Sequence, residues 1–281
     1  MQVELSTGGA TPLSHERTTL ATSLPELGRG AWVIFAKHMR QFSSNSMEIG
    51  GTLGWPLLWV ATFGLGMERV VNTTVLDGAG SYLAFITPGI IALTALSGAV
   101  NAGMVLLEEK IKGVLKEYFV APIPRMSILL ASTGSGLVKT LLQTTIIVLL
   151  SLLFGARITG GLLGVLGALL FLLLYVMAFV GFSNGMAARS KSVGGYHMIL
   201  FVLNLPLLFL SNALYPLAGM PGWMRVMAWL NPTTYAVDSM RHMLYGVGEI
   251  PIWISLVVLA GFAVLCTIFG LRSFRRLLEG N

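Results

Sequence analysis

LLGVLGALLFLLLYVMAFVGFSNGMA, residues 162 to 187, runs for 26 positions without one charged side chain. A helix rising 1.5 Å per residue crosses about 30 Å of hydrocarbon in ~20 residues, so this stretch reads as a transmembrane helix. It is too long for the alternating strand of a barrel, and in lipid its backbone groups must be satisfied within the segment. Comparable runs lie at about 49 to 66, 82 to 107, 126 to 154, 193 to 215 and 252 to 271. The sequence therefore predicts an all-α integral membrane protein with six transmembrane helices. The first run is unusual, containing Pro56 and five glycines, Gly50, Gly51, Gly54, Gly64 and Gly66.

Composition agrees with this reading. Of 281 residues, 55% are hydrophobic and 11% charged, with a mean hydropathy of +0.79, whereas about a quarter of a soluble domain is charged. Six spans with their loops leave no room for an additional soluble enzyme domain. The single cysteine, Cys266, excludes a disulfide framework and a cysteine-based metal site.

The net charge of +6 follows the bilayer. With the N-terminus inside, Arg17, Arg29, Lys37, Arg40, Lys110, Lys112, Lys116, Arg125, Arg189, Lys191, Arg272, Arg275 and Arg276 face the cytoplasm, against Arg69, Arg157, Arg225 and Arg241 outside. Both termini are then cytoplasmic, and the basic balance is a topology signal with attraction to anionic lipid, not a nucleic-acid footprint. Residues 1–25, rich in Ser, Thr, Gly and Pro and lacking a signal-peptide core, read as a mobile cytoplasmic tail. Residues 26–46 form an amphipathic interfacial helix: Trp32, Phe35, Met39 and Phe42 recur at helical spacing opposite Arg29, Lys37, Arg40 and Ser44. The six-span domain occupies 49–271, and 272–281 is a basic cytoplasmic C-terminus.

Ion-driven carriers need ionisable groups at depth, yet the six runs contain no Asp or Glu, only His197 and Lys139. Lys139 either snorkels or meets a neighbouring helix, or faces a substrate. His15, His38, His197 and His242 are scattered, with no HExxH and no GxSxG, so no catalytic residue and no metal site is expected. GSGLVKT at 134–140 and Leu96-Ser97-Gly98 imitate nucleotide motifs but lie inside apolar helices.

Two polar loops carry pattern. LEEKIKGVLKEYFVAPIPR, 107–125, places Ile111, Val114 or Leu115, and Tyr118 at helical spacing among Glu108, Glu109, Lys110, Lys112, Lys116 and Glu117, with Pro122 and Pro124 as stops. It is either a solvated connector or a lever gripped by a soluble partner. From Pro216 to Pro251 the chain is too apolar for a solvated loop. Leu217, Met220, Trp223, Val226 or Met227, and Leu230 make one stripe before the Asn231-Pro232 break; Met240, Met243 and Leu244 make another, with Asp238 three residues before Arg241. Two external re-entrant helices before the last span fit this pattern, with Trp223, Trp229, Tyr235, Tyr245 and Trp253 at the outer interface. Backbone at such depth must be buried or line a wet cavity, which suits a gate.

In order and in these two motifs the chain resembles the membrane subunit of type-2 ABC exporters, from about Glu26 to the last span. The carrying residues are EEKIKGVLKEYFVAPIPR and LSNALYPLAGMPGWMRVMAWLNPTTYAVDSMR. The resemblance implies a connecting helix bearing Trp32, Phe35, Met39 and Phe42. It implies a coupling helix received by an ATPase, with Glu108, Glu109, Ile111, Gly113, Val114, Leu115, Glu117, Tyr118 and Pro122. It implies external gate helices with Pro216, Trp223, Asn231, Pro232, Tyr235, Asp238 and Arg241. The implied partners are two copies of a cytoplasmic ATP-binding subunit, which hold ATP and Mg while this chain binds no cofactor, and a second permease in a homodimer within the lipid of the cell inner (plasma) membrane. The expected cargo is amphipathic, drug-like or lipid-like; a polysaccharide or glycolipid exporter and an ion-coupled carrier are the alternatives. Gly160, Gly164 and Gly167 are expected to permit close helix packing.

Overall fold

The computed structural model describes residues 24–66, 81–120 and 124–279, and among them the secondary structure is helical throughout, without a strand. α1 (Leu24–Ser44) leads into α2 (Ser46–Trp59), which begins at Asn45, whose side chain accepts from the Glu48 N–H at 3.2 Å. Pro56 lies within α2, and a π-helical segment, Val60–Leu65, continues it. Proline has no N–H to donate, so the Thr52 carbonyl one turn back loses its helical partner. Gln143 supplies the replacement, its Nε2 donating to Thr52 O at 2.9 Å.

α3 (Tyr82–Ile111) is the central helix, capped by Ser81 and packed against α5 (Met126–Leu153), α6 (Gly161–Arg189), α7 (Val193–Phe209) and α9 (Pro232–Tyr245). Between α3 and α5 sits the short α4 (Val114–Val120). α8 (Gly222–Leu230) precedes α9, and α10 (Ile252–Glu279) closes the fold against α6. The α6–α10 contact is backbone to backbone: a Cβ on Gly270 would stand 2.5 Å from the Gly181 carbonyl, the small-residue contact that lets membrane helices approach closely.

Four helices among the described residues, α3, α5, α6 and α10, are long and apolar enough to cross a membrane, and α7 is a shorter apolar helix. The six expected spans are thus not all continuous helices of full length. α7 contains Pro206 and stops at Phe209 rather than 215, and the first run is divided between α2 and its π-helical extension. The expected tail lies outside the described residues except for its last two positions, where α1 has already begun, and Pro122 also lies outside.

Besides a small cluster of Ala178, Ala263 and Cys266 between α6 and α10, two apolar clusters form most of the interior. The larger joins α3, α6, α9 and neighbours around Phe85, Tyr175, Val237 and Met240; the smaller joins Ile34, Leu106, Leu115, Ile128, Tyr196 and Phe274. The second ties α1 and α4 to one end of the bundle.

Candidate functional site

At that end the polar chemistry gathers on Glu109, at the last turn of α3. Its Oε1 accepts from Lys37 Nζ at 2.8 Å and from the Tyr118 hydroxyl at 3.0 Å, and lies 3.2 Å from His38 Nε2. Lys37 Nζ also donates to Tyr118 Oη at 2.7 Å, and His38 Nδ1 lies 3.4 Å from Ser135 Oγ on α5. One carboxylate thus clasps α1, α3 and α4. Partial burial works against the Lys37 ammonium, but hydrogen bonds to Glu109 and Tyr118 and the attraction of the carboxylate outweigh it and raise its pKa above the ordinary lysine value. Burial, the largest influence on the Tyr118 phenol, pushes its pKa up and keeps it a neutral donor. Nearby, Lys110 Nζ donates to the carbonyls of Ala188 and Ser190 at 2.7 and 2.9 Å, closing the last turn of α6.

The single amphipathic helix expected over 108–121 is in fact two pieces. α3 continues through Glu108, Glu109 and Ile111, and the chain turns at Lys112 and Gly113 before α4 begins. Gly113 has φ +80, a left-handed conformation that only glycine adopts cheaply, and it ends α3. The expected apolar edge splits accordingly. Leu115 is buried and Tyr118 is engaged with Glu109, whereas Ile111 and Glu117 are exposed and Val114 is half-buried. The surface presented away from the bundle therefore includes Glu108, Ile111, Val114 and Glu117, with Lys112 paired to Glu108 at 2.7 Å.

The face that α1 buries against protein overlaps its apolar stripe only in part. Gly30, Ile34, His38 and Phe42, four residues apart, turn inward with Phe35 and Met39 partly covered, while Trp32 is 66% exposed. Sequence reading missed His38 because it stood among polar neighbours; its i+4 register with Ile34 and Phe42 was the available signal.

At the other end, α8 and α9 form the expected pair of helices around Asn231-Pro232. Asn231 caps α9 by accepting from Thr233 N at 2.9 Å and donates from Nδ2 to the Leu207 and Leu210 carbonyls, also at 2.9 Å, thereby joining α9 to the end of α7. Tyr235 returns its hydroxyl to Trp229 O at 2.7 Å. α9 is buried along most of its length, but α8 exposes Trp223, Val226, Met227, Trp229 and Leu230. The first stripe is not one helix: Leu217 belongs to a short 3₁₀ turn begun by Pro216, and both it and Met220 are buried before α8 starts. Asp238 accepts the N–H groups of Glu249 and Ile250 at 3.0 and 2.9 Å and Asn212 Nδ2 at 3.3 Å. Arg241 donates to Phe85 O and Asn212 O at 3.2 and 2.8 Å and stacks 3.9 Å from the Phe85 ring centre. Together they stitch α9 to α3 and to the chain on either side of the hairpin.

Between these ends, α2, α3 and α5 border an open groove of about 360 Å³. Its α3 wall is polar, with Thr94, Ser97 and Asn101, and Gln143 joins from α5; α2 adds Met47, Glu48, Thr52 and Trp55. Lys139 Nζ donates to Glu48 Oε1 at 2.7 Å and sits over the Phe42 ring, so it is a helix-contact cation. The spacing of Thr94, Ser97 and Asn101 on one helical face signalled the wall, although Ser97 appeared in the sequence only as part of an imitation nucleotide motif.

These parts define a helical membrane protein whose central bundle is clasped to short helices at both ends. Residues 29–245 match the family model described as ABC-2 type transporter. The chain is 32% identical over 235 residues to the putative transport permease ycf38 of Cyanophora paradoxa, covering 82% of this chain and 79% of that protein. It is 29% identical to the daunorubicin resistance ABC transporter permease protein DrrB1 of Streptomyces coeruleorubidus, across 92% and 89% of the two. It is 25% identical to the inner membrane transport permease YadH of Escherichia coli (strain K12), across 82% and 89%. The chain belongs to the ABC-2 type transporter permease family: it is a non-catalytic membrane subunit, and ATP is hydrolysed by a separate ATPase.

Proposed function

We propose that this permease is the membrane half of an exporter carrying an amphipathic, drug-like or lipid-like substrate out of the cytoplasm or inner leaflet. The observation that carries this reading is the groove between α2, α3 and α5. A wall of Thr94, Ser97, Asn101 and Gln143 opposite Met47 and Trp55 offers both hydrogen bonds and apolar contact. Of these Asn101 is exposed and Ser97 half-buried, and a polar group exposed on a membrane helix is costly against lipid and is satisfied by water, substrate or a second protein. Two permeases meeting across this groove would enclose a path. The daunorubicin resistance named for one relative supports a drug-like cargo.

Six crossings, with α2 and its π-helical extension as the first and α7 as the fifth, place both termini in the cytoplasm of an inner-membrane protein. Two ATP-binding subunits, holding ATP and Mg, grip Glu108, Ile111, Val114 and Glu117. The Glu109 clasp passes their movement to α1 and thence to α2, and the α8–α9 hairpin forms the external gate. The test is ATP hydrolysis by the reconstituted complex against a panel of amphipathic compounds. Stimulation by a compound class, lost in Asn101→Leu with Ser97→Ala while basal hydrolysis persists, supports the reading; stimulation unaffected by these changes contradicts it.

A further inference from the structure

On another side of the bundle, α5 and α6 border a largely apolar cavity of about 410 Å³ whose α5 wall also carries Thr144 and Thr145, within the roughly 300–1,000 Å³ range of small-molecule sites. Its floor is Ile91 of α3, Leu172 of α6 and Met240 and Leu244 of α9, and its mouth is Leu149 and Val165. Beyond the mouth the same two helices expose Leu153, Leu162 and Leu163, so the surface around the opening is apolar, as a lipid-facing surface is.

The connection closing this end is fixed in place. Thr159 and Gly160 donate their N–H groups to Leu244 O at 2.9 and 3.1 Å, pinning the connection to the residue that floors the cavity. Two residues earlier stands Arg157, exposed, with no carboxylate against it among the described residues. An apolar slot between α5 and α6, with an exposed guanidinium carried on the pinned connection between the same two helices, offers the two chemistries a phospholipid needs, apolar contact for an acyl chain and a cation for its phosphate.

We propose that this cleft is a site for one anionic phospholipid of the leaflet at the α5–α6 connection, its acyl chain between α5 and α6 and its phosphate on Arg157. That leaflet is the outer one under the orientation proposed above. Because Met240 and Leu244 are the floor, a bound acyl chain supports α9 directly. It thereby sets how firmly the hairpin is held.

Native mass spectrometry of the full chain released from bilayer discs tests this, using phosphatidylglycerol and diacylglycerol of identical chains in equal amounts. One retained phosphatidylglycerol per chain is expected, preferred about tenfold over diacylglycerol. Arg157→Gln removes the preference, Arg157→Lys keeps most of it, and Val165→Trp, which plugs the mouth, removes retention. If Val165→Trp is not monodisperse, Leu149→Trp takes its place. Equal retention of the two lipids, retention unchanged in the plugged variant, or displacement by a compound that stimulates ATP hydrolysis would each overturn the proposal, the last by making the cleft a cargo site. The readout involves neither nucleotide nor transport, so its failure leaves the exporter reading standing.

Discussion

Replacing Glu109 with Gln keeps the shape of the clasp and removes its charge. Hydrogen bonds to charged groups contribute about 1.5–3 kcal/mol each when buried. The Lys37 side chain is 46% exposed, so its share falls to about 0.5–1 kcal/mol after solvent screening. His38 and Tyr118 are better covered, and since an amide retains part of the hydrogen bonding, the total loss is about 2 kcal/mol. That energy corresponds to roughly thirtyfold in the population in which α1 and α4 move as one body. The assay is a double-mutant cycle pairing Glu109→Gln with Tyr118→Phe, read by thermal unfolding of the purified chain, with transport per ATP hydrolysed in the assembled complex. A coupling near 1 kcal/mol and a fall in transport with ATPase capture intact are expected. Changes adding to within about 0.3–0.5 kcal/mol, the behaviour of independent sites, together with normal transport, would refute the clasp.

Gln143→Leu strands the Thr52 carbonyl that Pro56 leaves free and should cost about 1–3 kcal/mol; in a Pro56→Ala background, where an N–H returns, thermal unfolding should show a smaller cost. Gly164→Leu drives a side chain into the Met243 carbonyl of α9 and should lower the unfolding temperature through overpacking of about 1–3 kcal/mol, whereas Gly261→Leu, where a Cβ meets nothing within 4 Å, should not. Lys139→Met should destabilise the chain by leaving Glu48 unpaired, and adding Glu48→Gln should recover most of the loss; transport that stays lost in the stable double variant would instead assign Lys139 a role toward substrate.

Apolar runs and loop patterns showed the helices and the two clasped ends in the sequence, because hydrocarbon length and backbone satisfaction permit few alternatives. Which face of a helix meets protein was harder to read. In a membrane, leucine facing lipid and leucine facing a neighbour carry the same hydrophobicity. Hence Trp32 and Phe42 stand in one apolar stripe of α1, yet Trp32 is exposed and Phe42 is buried against protein, as is His38 beside it. Local pattern also hid the break at Gly113, since Ile111, Val114 and Tyr118 keep helical spacing across it and only the backbone φ reveals the turn. The sequence showed Asp238 three residues before Arg241, but not the backbone groups each also reaches in distant segments, Glu249 and Ile250 for one and Phe85 and Asn212 for the other. Such partners become visible only when the chain is folded.

The mechanical claim is that movement enters this permease from a separate ATPase through the surface of Glu108, Ile111, Val114 and Glu117. Its most direct test is uptake of an amphipathic dye by inside-out proteoliposomes carrying the permease alone or with its ATP-binding subunit. Accumulation should require both subunits and ATP, and should disappear in Ile111→Glu with Glu117→Lys despite normal membrane insertion. Sustained accumulation by the permease alone, or full activity in that variant, would contradict the account.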